Sequence, residues 1–205
     1  MKNIILSSTK KLLPLKQWTG LYFFILSATQ GIRQFLLKEI GLEFTIDPAH
    51  IDESFPADMP IEKVPSYLAE KKAKALFPKI TDQIVLASDT VVILGKQILN
   101  KPADRAEAIQ MLTDLSGHTH TVITAVCLLS KTKSDCFEDK TEVTFKKLTH
   151  EEIEFYVDNY KPFDKAGAYG AQDWIGMVAI EKIVGSYFTV MGLPIHKVYE
   201  RLWLF

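Results

Sequence analysis

Ile84-Val-Leu-Ala-Ser-Asp-Thr-Val-Val-Ile-Leu94 decides how the chain is read. Two apolar runs, Ile84–Ala87 and Val91–Leu94, read as buried strand segments on either side of Ser88-Asp89-Thr90. A carboxylate directly after an apolar strand faces the crevice where open α/β sheets bind ligands, so Asp89 is a candidate base or metal ligand. A lone Asp-Thr in that setting more often caps a turn through its side chain.

Moving downstream, Asp104 with Glu107 has the spacing of a capping box, and Ala108, Met111, Leu112 and Leu115 follow at helical spacing until Gly117. Thr121 to Leu129 reads as a strand, Ser130 to Lys140 as a turn or exposed loop, and Thr141 to Phe145 as a half-buried strand closing a hairpin. Thr149 and Glu152 form a second capping box, for a helix whose inner face is Ile153, Tyr156 and Val157. Moving upstream, a helix follows Pro65 as far as Phe77, where Pro78 stops it. Before that, Leu21–Leu26 is a short strand, and Leu36, Leu37 and Ile40 share a helical face that ends at Gly41. Strands interleaved with helices predict an α/β fold on a mixed sheet.

Composition narrows the function. With 205 residues and 47% hydrophobic content the chain can bury a real core. Twenty-four Lys plus Arg against 25 Asp plus Glu give a formal charge of −1, so no global positive field draws nucleic acid or a membrane surface. The apolar runs fall short of the roughly 20 residues a membrane span needs. Lys10, Lys11 and Lys16 interrupt any secretory leader, which predicts a cytoplasmic protein. Cys127 in an apolar run and Cys136 in a polar stretch fit neither a disulfide framework nor a zinc site.

Other segments could join Asp89 at a site. Lys101-Pro102 offers a point charge suited to phosphate, although a lone lysine is commonly a solvated surface residue. In Asp164-Lys-Ala-Gly-Ala-Tyr-Gly-Ala-Gln172, small residues around Lys165, Tyr169 and Gln172 suit a loop lying against a ligand. Gly185-Ser-Tyr187 and Gly192-Leu-Pro194 read as tight turns.

Taken in order, Ser88-Asp-Thr-Val-Val92, Lys101-Pro102, Leu115-Ser-Gly117, Asp164-Lys-Ala-Gly-Ala-Tyr-Gly170, Gln172, Gly185-Ser-Tyr187 and Gly192-Leu-Pro194 resemble the Maf family of nucleotide pyrophosphatases over about residues 21 to 202. The resemblance implies a mixed, elongated sheet flanked by helices with a central cleft, the fold type of inosine triphosphate pyrophosphatases. It implies cleavage between the α and β phosphates of a nucleoside triphosphate, a divalent cation (Mg²⁺ or Mn²⁺) and a homodimer. Residues 1–20 would be an N-terminal extension and 21–205 the domain. By the same resemblance Asp89 is the general base, Glu53 and Asp89 hold the metal, and Lys72 and Lys101 neutralise phosphate. Thr90 and Gln172 bear on base choice, and Tyr169-Gly-Ala-Gln172 is similar to the branch that acts on dTTP and UTP.

The chain departs from the family at the first motif, Ser-x-Ser-Pro-Arg-Arg. Here Ser27-Ala-Thr-Gln-Gly-Ile-Arg33 keeps Arg33, but Ile32 stands where the other substrate-binding arginine belongs, Gln30 replaces the second serine and Gly31 the proline. One lost charged hydrogen bond costs about 1.5–3 kcal/mol, which predicts weakened activity. Two other readings remain open: a nucleotide-binding module without turnover, and a cell-division regulator or nucleic-acid binder, the latter opposed by the balanced charge.

Overall fold

The computed structural model describes residues 24–27 and 31–205. The expected extension at residues 1–20, the start of the first strand at Leu21 and the substitution at Gln30 lie outside the described residues.

Among those residues the sheet has seven strands: β1 Phe24–Ser27, β2 Phe44–Ile46, β3 Ile84–Leu94, β4 Gln97–Leu99, β5 Thr119–Leu129, β6 Ser134–Phe145 and β7 Ile180–Val184. Their order is β2-β1-β3-β5-β6-β7, with β4 also on β3. The β1 pairings with β2 and β3 are parallel and the rest antiparallel, the mixed sheet the sequence predicts. The helices of eight residues or more are α1 Gly31–Glu39, α2 Val64–Leu76, α3 Arg105–Leu115, α4 His150–Tyr160 and α7 Ile195–Leu204; α5 Trp174–Ala179 and α6 Tyr187–Val190 are short.

The expected pair of strands around Ser88-Asp89-Thr90 is one continuous strand of 11 residues. The polar triplet does not break it because β5 pairs straight through, with Asp89 opposite Ala125 and Thr90 opposite Thr124. Asp89 therefore lies in mid-strand and caps no turn. The crevice arises from β3's other edge: β1 ends where Ser27 meets Ala87, and β4 begins only where Leu99 meets Val92. On that edge Ser88 to Val91 form a gap with no strand alongside among the described residues.

Strand alternation then sorts the side chains. On one face, Ile84 and Leu86 pack beneath α1 and α7, whereas Val92 packs with α3 and α4. Ser88 and Thr90 fall between these two cores, and β5 repeats the pattern as Val122, Thr124, Val126. A polar belt thus crosses an otherwise apolar face and keeps two helical groups apart. The opposite face carries Val85 and Ala87, then Val91 and Ile93, all packed against α2. Each fully buried aliphatic side chain in these cores contributes about 2 kcal/mol.

Three local expectations need correction. β6 begins at Ser134, so only the stretch 130–133 turns. Its polar residues satisfy a strand because long side chains cover them: Lys63 pairs with Glu138, Lys197 with Asp139 and Arg201 with Asp135. That register sets Cys136 opposite Cys127, and the two are joined by a disulfide, contrary to the expectation from their sequence surroundings. At α3, Asp104 accepts from the Glu107 N–H as expected, but the Glu107 carboxylate accepts from Ala103 rather than Asp104. The box at Thr149 and Glu152 is complete.

Candidate active site

The gap beside Ser88–Val91 opens into a cavity of about 900 Å³. Every residue named as a site candidate lines it: Ile32, Arg33, Glu53, Lys72, Asp89, Thr90, Lys101 and Gln172. The sequence brings them from six separate segments.

Lys72 arrives from α2. It stands one turn beyond Leu68, on the side that packs against the sheet, so it aims at the odd-numbered face of β3. Its ammonium lies 2.6 Å from Asp89 Oδ1 and 2.8 Å from Glu53 Oε1. One cation thus bridges two carboxylates. Asp89 is only 8% exposed, which makes its pairing matter more than that of a surface ion pair. Glu53 is held by a local turn, because the Asp52 carboxylate accepts from the Ser54 N–H at 3.0 Å. Burial alone would raise the Glu53 pKa; the Lys72 hydrogen bond, together with the charges of Lys72, Lys101 and Arg33, outweighs it and holds the carboxyl below its usual range. Lys101 follows β4 and is exposed at the cavity wall.

Arg33 enters from the other face and is clamped. Its Nε donates to the Gly192 carbonyl at 2.8 Å, Nη1 to the Ser88 carbonyl at 3.0 Å and Nη2 to Thr90 Oγ1 at 3.0 Å. Burial lowers its pKa, opposed by the nearby charges of Asp89 and Glu53. The geometry makes Arg33 a brace that closes the gap in the sheet as much as a ligand contact. Gly192 is needed for that brace: its φ is +92°, and a Cβ would approach Thr90 Oγ1 and Arg33 Nε to 3.2 and 3.3 Å. In the sequence alone Gly192 reads as turn punctuation; its contact with Arg33 depends on the fold. Thr90 Oγ1 also meets Thr124 Oγ1 at 3.0 Å, so its hydroxyl is part of the polar belt.

Ile32, half-buried at the start of α1, presents an alkyl side chain where the family places a guanidinium. The N-terminal N–H groups of a helix bind anions without any particular side chain, so the lip of the cavity keeps that capacity. Across from it, Gln172 is exposed on the loop before α5.

Tyr169 lines the cavity with its ring and passes its hydroxyl to buried His120, 2.8 Å from Nε2. Phe145 packs edge-on against both rings, and His120 Nδ1 has no hydrogen-bond partner among the described residues. Burial pushes the His120 pKa down to about 4. A histidine depressed in the fold is protonated more readily when unfolded, so its contribution to stability is intact above about pH 6.5 and lost as pH falls towards 4. The expected loss is on the order of 3 kcal/mol across that window. Urea unfolding at pH 7 and pH 5 should show this dependence and should show it flattened in His120→Gln; equal dependence in both proteins would contradict it.

A cavity edged by paired carboxylates, lysines and a helix N-terminus, at a break in a mixed sheet, defines an α/β protein built to hold a compact, highly charged anion. The family model described as Maf-like protein matches residues 24–204, and the chain belongs to that family. Among its relatives, a dTTP/UTP pyrophosphatase of Parabacteroides distasonis is 42% identical over 183 residues, 88% of this chain and 95% of that protein. Another with the same name, from Flavobacterium psychrophilum, is 44% identical over 179 residues, 87% of this chain and 92% of that one. A solved HAM1 protein from Coxiella burnetii superposes with a TM-score of 0.48 at 15% identity, covering 90% of this chain and 100% of that one. No described helix is long and apolar enough to cross a membrane.

Proposed function

We propose that the protein hydrolyses dTTP and UTP to the monophosphate and pyrophosphate, in the cytoplasm where those nucleotides are made and used. One observation carries the reading: Asp89 stands at the uncovered edge of β3, paired with Lys72, which also reaches Glu53, in a cavity shared with Lys101. The names of the relatives support the substrate class.

In this account Asp89 takes a proton from water as the water oxygen attacks the α-phosphorus. The bond from that phosphorus to the bridging oxygen breaks, and pyrophosphate leaves with the electron pair. Lys101 and the N–H groups of α1 stabilise charge on the phosphates. Asp89 and Glu53 are hard oxygen donors that already converge on one cation, the ammonium of Lys72, and are the residues that would hold Mg²⁺ or Mn²⁺. A bound ion would supply further charge neutralisation and a more acidic water. Gln172 offers one donor and one acceptor to the base edge.

A panel of triphosphates with Mg²⁺ or Mn²⁺ tests this: dTTP and UTP should outrank purine nucleotides, and preference for 7-methylguanosine triphosphate would overturn it. Ile32 favours a second reading, a nucleotide-binding protein of the same family with little turnover; nucleotide would then raise the melting temperature without release of pyrophosphate. Rebuilding the motif with Gln30→Ser, Gly31→Pro and Ile32→Arg separates the two. A Cβ at Gly31 meets nothing within 4 Å, and proline is at home in the first helical position. Activity should rise about ten-fold, the size of one regained charged hydrogen bond. A folded, rebuilt protein no faster than the parent would show that the triphosphate is gripped without that arginine.

A further inference from the structure

Gln172 sits on a β-turn, Gly170-Ala-Gln-Asp173, closed by the Asp173 N–H donating to the Gly170 carbonyl at 3.0 Å. Both ends of this turn meet one buried hydroxyl. Tyr156 of α4 accepts from the Gly170 N–H at 3.2 Å and donates to Asp173 Oδ2 at 2.8 Å. The middle is held from another element, since the Tyr187 hydroxyl of α6 donates to the Ala171 carbonyl at 3.0 Å. Behind that carbonyl stands Gly176, where a Cβ would come within 1.9 Å of the Ala171 oxygen. Burial raises the pKa of both tyrosines, helped for Tyr156 by its hydrogen bond to Asp173 and for Tyr187 by the Asp173 charge, which keeps them protonated and able to donate. Asp173 precedes α5 without capping it, its carboxylate being committed to Tyr156. Neither tyrosine lines the cavity.

Of the two central residues of this turn, Ala171 is buried and fixed, while Gln172 is exposed and lines the cavity. We propose that the turn is a ruler for the base: Tyr156 and Tyr187 are positioning residues that hold Gln172 at the depth of a pyrimidine edge and so exclude purine nucleotides. The inference rests on Gln172 meeting the base, as proposed above. Its logic is one of reach. A purine's outer edge stands farther from its sugar than a pyrimidine's, by the width of the five-membered ring. An amide can turn over to satisfy either edge, so hydrogen-bonding pattern alone discriminates poorly; a fixed depth discriminates by size. A turn free to shift would admit both.

The test compares kcat/KM for UTP and ATP in the parent, Tyr187→Phe, Gln172→Ala and the double variant. Tyr187→Phe should lower the UTP-to-ATP ratio roughly three- to ten-fold, as loss of one positioning hydrogen bond allows, with the change falling on KM for UTP. In the Gln172→Ala background the same tyrosine change should alter the ratio no further. An unchanged ratio in Tyr187→Phe, or an equal fall in both backgrounds, overturns the ruler while leaving Gln172 as a base contact. If Gln172→Ala itself keeps the parent ratio, both the base contact and the ruler are wrong. Tyr156→Phe, which also orphans the Gly170 N–H, should lower the ratio together with the melting temperature; a folded variant with the parent ratio counts against the proposal.

Discussion

Asp89→Asn should lower the turnover of UTP by on the order of a thousand-fold, the scale of a lost general base, with the fold intact. The amide keeps the shape of the carboxylate and still offers an oxygen to Lys72, whose charge remains paired with Glu53 at 2.8 Å. The buried position is therefore not left with an unopposed cation. Steady-state rates with a thermal melt of the same sample check both halves of the expectation. Near-parental turnover would remove Asp89 from the chemistry.

Lys72→Met should act on both stability and rate. It leaves Asp89, 8% exposed, and Glu53 facing each other without the ammonium that joins them. Removing one partner of a largely buried ion pair costs about 3–5 kcal/mol, because the other charge stays desolvated. Loss of a cation beside the phosphates should lower kcat/KM by about a hundred-fold. The Glu53 arm adds little to the stability loss, since that side chain is half exposed. Urea unfolding and kinetics measured together would show a correlated fall. A protein as stable and as active as the parent would mean that the bridge is incidental.

Much of this site is legible in the sequence, but not how its parts meet. Asp89 stands out after an apolar strand, yet the reason it faces a crevice is that β1 stops at Ser27 and the pairing of β4 with β3 reaches no further than Leu99 opposite Val92, a matter of register between distant strands. The polar belt of Ser88, Thr90 and Thr124 can be seen as polar residues at alternate positions, but its meaning depends on β5 pairing straight through β3. The 134–140 stretch reads as a loop because most of its side chains are polar or charged; only Lys63, just before α2, and Lys197 and Arg201 on α7 make it a strand. Tyr156 shows the same limit in one residue. Helical spacing assigns it to an inner face, and a buried tyrosine implies a partner for its hydroxyl, but nothing local says that the partners are Gly170 and Asp173. Ile32, by contrast, departs from the family pattern within the sequence itself, and its side chain lines the cavity.

The central claim is cleavage between the α and β phosphates, and the products of a single reaction test it. Purified protein incubated with UTP and Mg²⁺ or Mn²⁺, with the products separated by ion exchange, should yield UMP and pyrophosphate in equal amounts. UDP with inorganic phosphate, or UTP recovered intact after prolonged incubation with either metal, would contradict it.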